Sequence, residues 1–85
     1  MANQTLIISN LPPECDEAWL RAEARHPENI VSVNELRPDD VEKHGVTLVV
    51  EFTGSRAEVD DVVARFQGRT IHGRHLRLYA PIFGS

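Results

Sequence analysis

The feature that most constrains this chain is an alternating strand, a helix and a second alternating strand within residues 46–81. From Val46 to Phe52 every second side chain is large and apolar, which predicts a strand with one face in a core. Ser55-Arg56-Ala57-Glu58 is a capping box, and apolar residues then recur at helical spacing as far as Gly68. From Gly73 to Pro81 the alternation returns. The second half therefore predicts a β-α-β unit.

The first half shows the same order with weaker signals. Thr5-Leu6-Ile7-Ile8 predicts a short strand, which Pro12-Pro13 end because proline cannot donate a backbone hydrogen bond. Asp16 stands where it can cap a helix over Glu17–Arg25, with Arg25 favourably placed in the last turn. Ile30–Leu36 then predicts a second strand.

Residues 37–45 read as an exposed loop between the second and third strands. The complete order is thus β-α-β-β-α-β. Two such units with right-handed crossovers predict an α+β, ferredoxin-like sandwich, in which a four-stranded antiparallel sheet carries both helices on one face. The other face of the sheet is left open.

The size of the chain fits one small domain. Its 85 residues are assigned to a single domain, residues 1–85, with a core from about residue 4 to residue 81. No run approaches the roughly 18 apolar residues of a membrane span, and the polar residues after Met1 do not resemble a signal peptide. We therefore expect an intracellular domain, nuclear or cytoplasmic, that is monomeric and does not contact a membrane.

Charge is distributed unevenly along the chain. The net charge of −4 argues against nucleic-acid binding through bulk electrostatics. However, all 13 acidic residues lie between Glu14 and Asp61, whereas residues 62–85 contain four arginines and no acid. The carboxyl-terminal segment therefore predicts a basic surface separate from the acidic remainder, since charges are screened over about 8 Å.

Three segments resemble the motifs of the RNA-recognition-motif family. Leu6–Pro12 is similar to the family's first-strand hexamer, Gly45–Phe52 to its third-strand octamer, and Gly68–Leu76 to its closing turn and fourth strand. The resemblance implies the same fold and single-stranded RNA as the usual ligand. In that family exposed bases stack on two or three aromatic rings of the open sheet face.

The family's aromatic positions hold other residues in this chain. Ile7 stands at the first-strand position, and Thr47 and Val49 stand at the two octamer positions. Gly45 takes the place of the octamer's leading basic residue. The resemblance therefore implies a non-catalytic domain that binds single-stranded RNA weakly, with help from the arginine-rich fourth strand.

The residues expected to carry RNA binding lie on the first, third and fourth strands. Tyr79 would stack one base, Arg77 would meet a phosphate or a base, and small polar groups, including Ser32 and Asn34, would bond base edges or 2′-hydroxyls. The alternative that Tyr79 only covers the sheet edge stays open. The predicted RNA-binding residues are Ile7, Ser9, Asn10, Thr47, Val49, His75, Arg77 and Tyr79.

A second function class is a protein-interaction module that uses the acidic first helix, Trp19 or the sheet face that lacks aromatic residues. Some members of the family bind peptides, using an acidic first helix and an Arg-x-Phe element to hold a partner's tryptophan, and here Arg69-Thr70-Ile71 has Ile in place of Phe. Trp19 is either an exposed anchor for a partner or a residue folded against the core. The residues predicted for this alternative are Glu14, Glu17, Trp19, Glu23, Arg69 and Ile71.

No catalytic or metal site is predicted. Cys15 and Leu20 occupy the two positions of a hydrophobic staple, and the acidic neighbours of Cys15 oppose thiolate formation. His72-x-x-His75 lacks the further ligands that a zinc site needs. The sequence therefore predicts a binding domain that is not an enzyme and needs no cofactor.

Overall fold

A computed structural model of the chain describes residues 3–80 and has the predicted ferredoxin-like architecture. In chain order the elements are β1 (Asn3–Leu11), α1 (Glu17–Glu23), β2 (Ile30–Leu36), α2 (Val41–His44), β3 (Val46–Thr53), α3 (Arg56–Phe66), β4 (Thr70–Ile71), β5 (Arg74–His75) and β6 (Arg77–Tyr79). The main sheet has the order β2-β3-β1-β6, with every pair antiparallel. β4 and β5 form a separate two-stranded ribbon.

One face of the main sheet forms the core. Burial alternates along β3 as predicted, with Val46, Leu48, Val50 and Phe52 facing inward, and β1 contributes Leu6 and Ile8 to the same face. α1 adds Leu20, and α3 adds Val59 and Phe66, so both helices pack on this side. The opposite face of the sheet carries no helix among residues 3–80. The predicted α+β class is confirmed.

The helices begin at the predicted caps. Asp16 Oδ1 accepts a hydrogen bond from the Trp19 backbone N–H at 2.9 Å, and Ser55 Oγ accepts one from Glu58 at 3.3 Å. α1 ends at Glu23, two residues before the predicted end. Pro27 disfavours helical backbone at the residue before it, and a 3₁₀ turn over Pro27–Asn29 follows. Arg25 therefore lies beyond the helix.

The predicted loop between β2 and β3 contains a helical turn, α2, that was not predicted. Asp40 caps it by accepting a hydrogen bond from the Lys43 N–H at 3.2 Å. Gly45 ends it with a positive φ of 78°. One turn is too short to show a hydrophobic period, so only the cap and the glycine indicate it in the sequence.

The predicted continuous last strand is divided in two. His72 and Gly73 both have positive φ, 50° and 79°, which is the geometry of a tight hairpin turn between β4 and β5. The Leu76 N–H donates to Arg69 O at 3.1 Å, which extends the ribbon pairing by one residue, and the Leu76 side chain enters the core. β6 then pairs with β1. The predicted end of this strand, Pro81, lies outside the described residues.

None of the described helices is long and apolar enough to cross a membrane.

We predict that Gly45→Ala destabilises the domain more than Gly68→Ala. Both glycines have positive φ, 78° and 81°, but only a Cβ at Gly45 meets backbone, 2.9 Å from Asn10 Cα. The shared conformational strain costs about 1 kcal/mol, and forced displacement of packed backbone adds about 1–3 kcal/mol at Gly45. Urea unfolding of both variants measures the difference. Equal losses would show that Gly45 is not held against β1.

Candidate functional site

A continuous row of four side chains crosses the open face of the sheet. Ile7 of β1 pairs with Val49 on one side and with Tyr79 on the other, and Val49 pairs with Asn34 of β2. Side chains of directly paired residues share a face, and these four lie opposite the core. The register therefore brings together three of the predicted RNA-binding residues, Ile7, Val49 and Tyr79, with Asn34 at the far edge.

The row is apolar at its centre and aromatic at one edge. Ile7 and Val49 are half-buried between their neighbours, whereas Tyr79 keeps 60% of its surface exposed. Leu36, on the edge strand β2, is 54% exposed. The face thus offers one free ring beside a flat aliphatic surface, and no carboxylate belongs to this row.

The two ends of the open face differ in charge. At one end Arg77 pairs with Ser9, and Thr47 pairs with Leu36. The Ser9 hydroxyl donates to the Arg77 carbonyl at 3.4 Å, and the Arg77 side chain extends into solvent. At the other end Glu51 accepts a hydrogen bond from the Asn3 amide at 2.6 Å. Arg77 thus places a positive charge at one end of this face, and Glu51 places a negative charge at the other.

Two residues predicted for RNA binding are engaged within the protein. Asn10 has left-handed backbone, with φ of 64°, and its amide donates to His75 O at 2.8 Å and accepts from Arg74 at 3.0 Å. His75 lies on β5, outside the main sheet, and its ring contacts Thr70 Oγ1 at 2.9 Å. The structure does not bring either residue onto the open face as a free hydrogen-bonding group.

Arg74, which was not among the predicted site residues, also contacts the end of β1. Its guanidinium reaches the end of β1, where a Cβ on Gly45 would lie 3.1 Å from Arg74 Nη1. The sequence predicted one continuous strand from Gly73 to Pro81, and alternation along that strand gave Arg74 no role in a site. The His72-Gly73 turn was the available signal, because a hairpin there separates Arg74 from the last strand.

The residues of the alternative protein-binding surface contact one another. Trp19 is half-buried against Phe66 of α3, with ring centroids 5.9 Å apart, so it folds against the core rather than standing exposed. Glu23 and Arg69 form an ion pair at 2.9 Å, and the Arg69 guanidinium lies 5.4 Å from the centre of the Phe66 ring. Ile71 packs on the same core.

The remaining acids of this surface are also paired. Glu17 binds Arg21 one helical turn away at 2.9 Å, and Glu14 contacts His72. Because these charges already have partners, a peptide binding here would have to compete with internal contacts.

On the helix side, a groove of about 270 Å³ lies between the end of α1 and the start of α3. Apolar side chains line its base, and the Arg25–Asp61 ion pair, at 3.5 Å, lies at its edge. Of residues 3–80, no Ser, Thr, Cys, Lys or Tyr lines this groove. Within residues 3–80, no group of three or more His, Cys, Asp or Glu side chains is placed to hold a metal ion.

Cys15 is a core residue, as the staple predicted. It is 1% exposed, and its staple partner Leu20 is 3% exposed. Burial, followed by the carboxylates of Glu14 and Asp16, raises the pKa of the Cys15 thiol from 9.0 to about 11. The thiol therefore stays protonated at neutral pH and is not an activated nucleophile.

No protein-family sequence profile matches this chain, and no curated protein matches it in sequence. Sixteen chains of solved structures match it in fold. RNA recognition domains 1 and 2 of Sex-lethal from Drosophila melanogaster match with a TM-score of 0.67 and 21% identity, over 88% of this chain and 47% of that one. The fourth RRM of Pes4 matches with a TM-score of 0.70 and 13% identity, over 94% and 100%.

The first two RRM domains of the yeast poly(U)-binding protein Pub1 match with a TM-score of 0.67 and 20% identity. They cover 94% of this chain and 48% of that one, so the chain spans about half the length of both two-domain structures. At these identities the likeness establishes the fold, which is RRM-like.

We predict that the folded domain protects Cys15 from alkylation. A rise in thiol pKa from 9.0 to about 11 lowers the thiolate fraction near pH 8. This difference of two pKa units is expected by itself to slow the reaction of Cys15 with iodoacetamide about 100-fold relative to a free cysteine. In concentrated urea the rate is expected to reach that of a free cysteine, which serves as the control. Equal rates in the folded and unfolded chain would contradict the buried position.

Proposed function

We propose that this chain, which has the fold of an RNA-recognition motif, is a non-catalytic binding domain that holds single-stranded RNA weakly on its open sheet face. The observation that carries the proposal is the row Asn34, Val49, Ile7 and Tyr79, which ends in an exposed ring on the face without helices. A flat apolar strip with one free aromatic ring suits an unstacked base.

The strength of binding follows from the number of rings. Stacking contributes about 1–3 kcal/mol per base, whereas a Kd of 1 mM already corresponds to about 4 kcal/mol. Tyr79 alone therefore cannot hold a strand, and contacts by other groups are required. This is the physical reason for proposing weak binding.

Arg77 supplies the next contact. It lies on the same face as Tyr79, two residues earlier on β6, and makes no ion pair with residues 3–80. A guanidinium in this position can meet a phosphate or lie flat on a base. Thr47, Ser32 and Asn34 are on the same face and offer hydrogen bonds to base edges and 2′-hydroxyls.

Similarity to solved structures adds support of a general kind. The Sex-lethal structure is described as RNA recognition domains, and Pub1 as a poly(U)-binding protein. The residues of the protein-binding alternative, by contrast, are engaged in the Trp19–Phe66 and Glu23–Arg69 contacts. For these two reasons we propose RNA rather than a peptide as the ligand. A monomeric, intracellular domain is part of the same proposal.

We predict that Tyr79→Ala weakens binding of short single-stranded RNA about 5- to 150-fold, the loss that one stacked base represents. Tyr79→Phe keeps the ring and is expected to bind within about twofold of the unchanged protein. Arg77→Ala is expected to weaken binding as well, because it removes the cation beside the ring. Fluorescence anisotropy with labelled RNA at low salt measures all three affinities.

Trp19→Phe is the control for the alternative surface, since it retains an aromatic contact with Phe66. It is expected to leave RNA affinity unchanged. The proposal fails if Tyr79→Ala binds as well as the unchanged protein, or if no RNA binds up to millimolar concentration.

A further inference from the structure

Arg74 is distinguished among the basic residues by its surroundings. Five arginines form ion pairs: Arg21, Arg25, Arg37, Arg56 and Arg69. Of the described basic residues without an ion pair in residues 3–80, Arg65, Arg77 and Lys43 are exposed, whereas Arg74 is half-buried. Partial burial of an unpaired cation is unfavourable unless hydrogen bonds or an anion compensate it. One hydrogen bond, to a neutral amide, is all that residues 3–80 give it.

The guanidinium of Arg74 is held in a defined position. Nη1 donates to Asn10 Oδ1 at 3.0 Å, and the Asn10 amide is in turn fixed by its 2.8 Å bond to His75 O. Gly45 leaves the space that the guanidinium occupies, since a Cβ there would lie 3.1 Å from Nη1. A guanidinium has five N–H donors, so most of them remain available to a ligand.

Arg74 and Arg77 are both located at the end of β1 that contains Ser9 and Asn10. Arg77 pairs with Ser9, and Arg74 bonds the side chain of the next residue, Asn10. Glu51, the acid on this face, pairs with Thr5 at the other end of β1. The backbone pairing of Arg77 with Ser9 and the side-chain bond of Arg74 to Asn10 therefore place both arginines near the end of β1 that is away from that carboxylate.

We propose that Arg74 and Arg77 form a phosphate-binding subsite that takes a phosphodiester group of the RNA strand. The fork of a guanidinium matches two phosphate oxygens, and the fixed position of Arg74 means that little side-chain freedom is lost on binding. The inference rests on the proposed function and adds to it the position of the strand: the backbone crosses the Arg74 end, beside the base on Tyr79.

The dependence of RNA affinity on salt concentration tests this subsite. Each phosphate contact with a single strand contributes about 0.7 to the slope of log affinity against log salt. Arg74→Gln is expected to reduce the slope by about that amount and to weaken binding about fivefold, equally for RNAs of different sequence. Arg65→Gln removes the same charge from α3 and is expected to leave both quantities unchanged. Arg74→Lys keeps the charge but not the fork, so its slope is retained while its affinity falls.

An abasic phosphodiester tetramer separates the subsite from base stacking. We expect it to shift the side-chain NMR signals of Arg74 and Arg77 but not the ring signals of Tyr79. If RNA binding depends on Tyr79 while the Arg74→Gln and Arg65→Gln variants show the same dependence of affinity on salt, the proposed subsite is wrong and the proposed function stands. If the abasic chain binds through Arg74 and Tyr79→Ala has no effect on RNA, the subsite stands and base stacking is wrong. Absence of binding by both ligands overturns both.

Discussion

The pairing of β1 with β3 is the constraint on which the rest of the structure depends. These two strands form the centre of the sheet, and their inward side chains are buried against α1 and α3. Because side chains alternate strictly along a strand, burial of Leu6, Ile8, Leu48 and Val50 fixes Ile7, Thr47 and Val49 on the other face. A shift by one residue would reverse both faces, so the core sets the position of the candidate site.

The same constraint explains why this sheet face differs from an RNA-binding sheet face that carries several aromatic rings. The two central strands present aliphatic and hydroxyl side chains and the carboxylate of Glu51, and the exposed ring belongs to the edge strand β6. Binding must then depend on a single stacked base, on hydrogen bonds and on charge. Arg77 pairs with Ser9 through the backbone and Arg74 bonds the side chain of Asn10, so charge and stacking can act on neighbouring parts of one RNA strand.

Most of the fold was predictable from the sequence, because the patterns that carry it are local. Strict alternation on β3 and the caps at Asp16 and Ser55 are visible without the structure. The site was predictable only in part. The row on the open face follows from alternation plus register, but the engagement of Asn10 and the role of Arg74 depend on contacts 64 residues apart. Trp19 was undecided for the same reason, since its partner Phe66 lies in another helix.

Amide chemical-shift mapping during titration with a mixed pool of short single-stranded RNAs, at low salt, tests the central claim most directly. The account predicts shifts confined to the open face and its Arg74 end, on Ile7, Ser9, Thr47, Val49, Arg77, Tyr79 and the neighbours of Arg74. Residues of α1 and α3 should not move. Shifts centred on Trp19, Glu23 and Arg69, or no shifts up to millimolar RNA, would contradict the assignment of the open sheet face as an RNA surface.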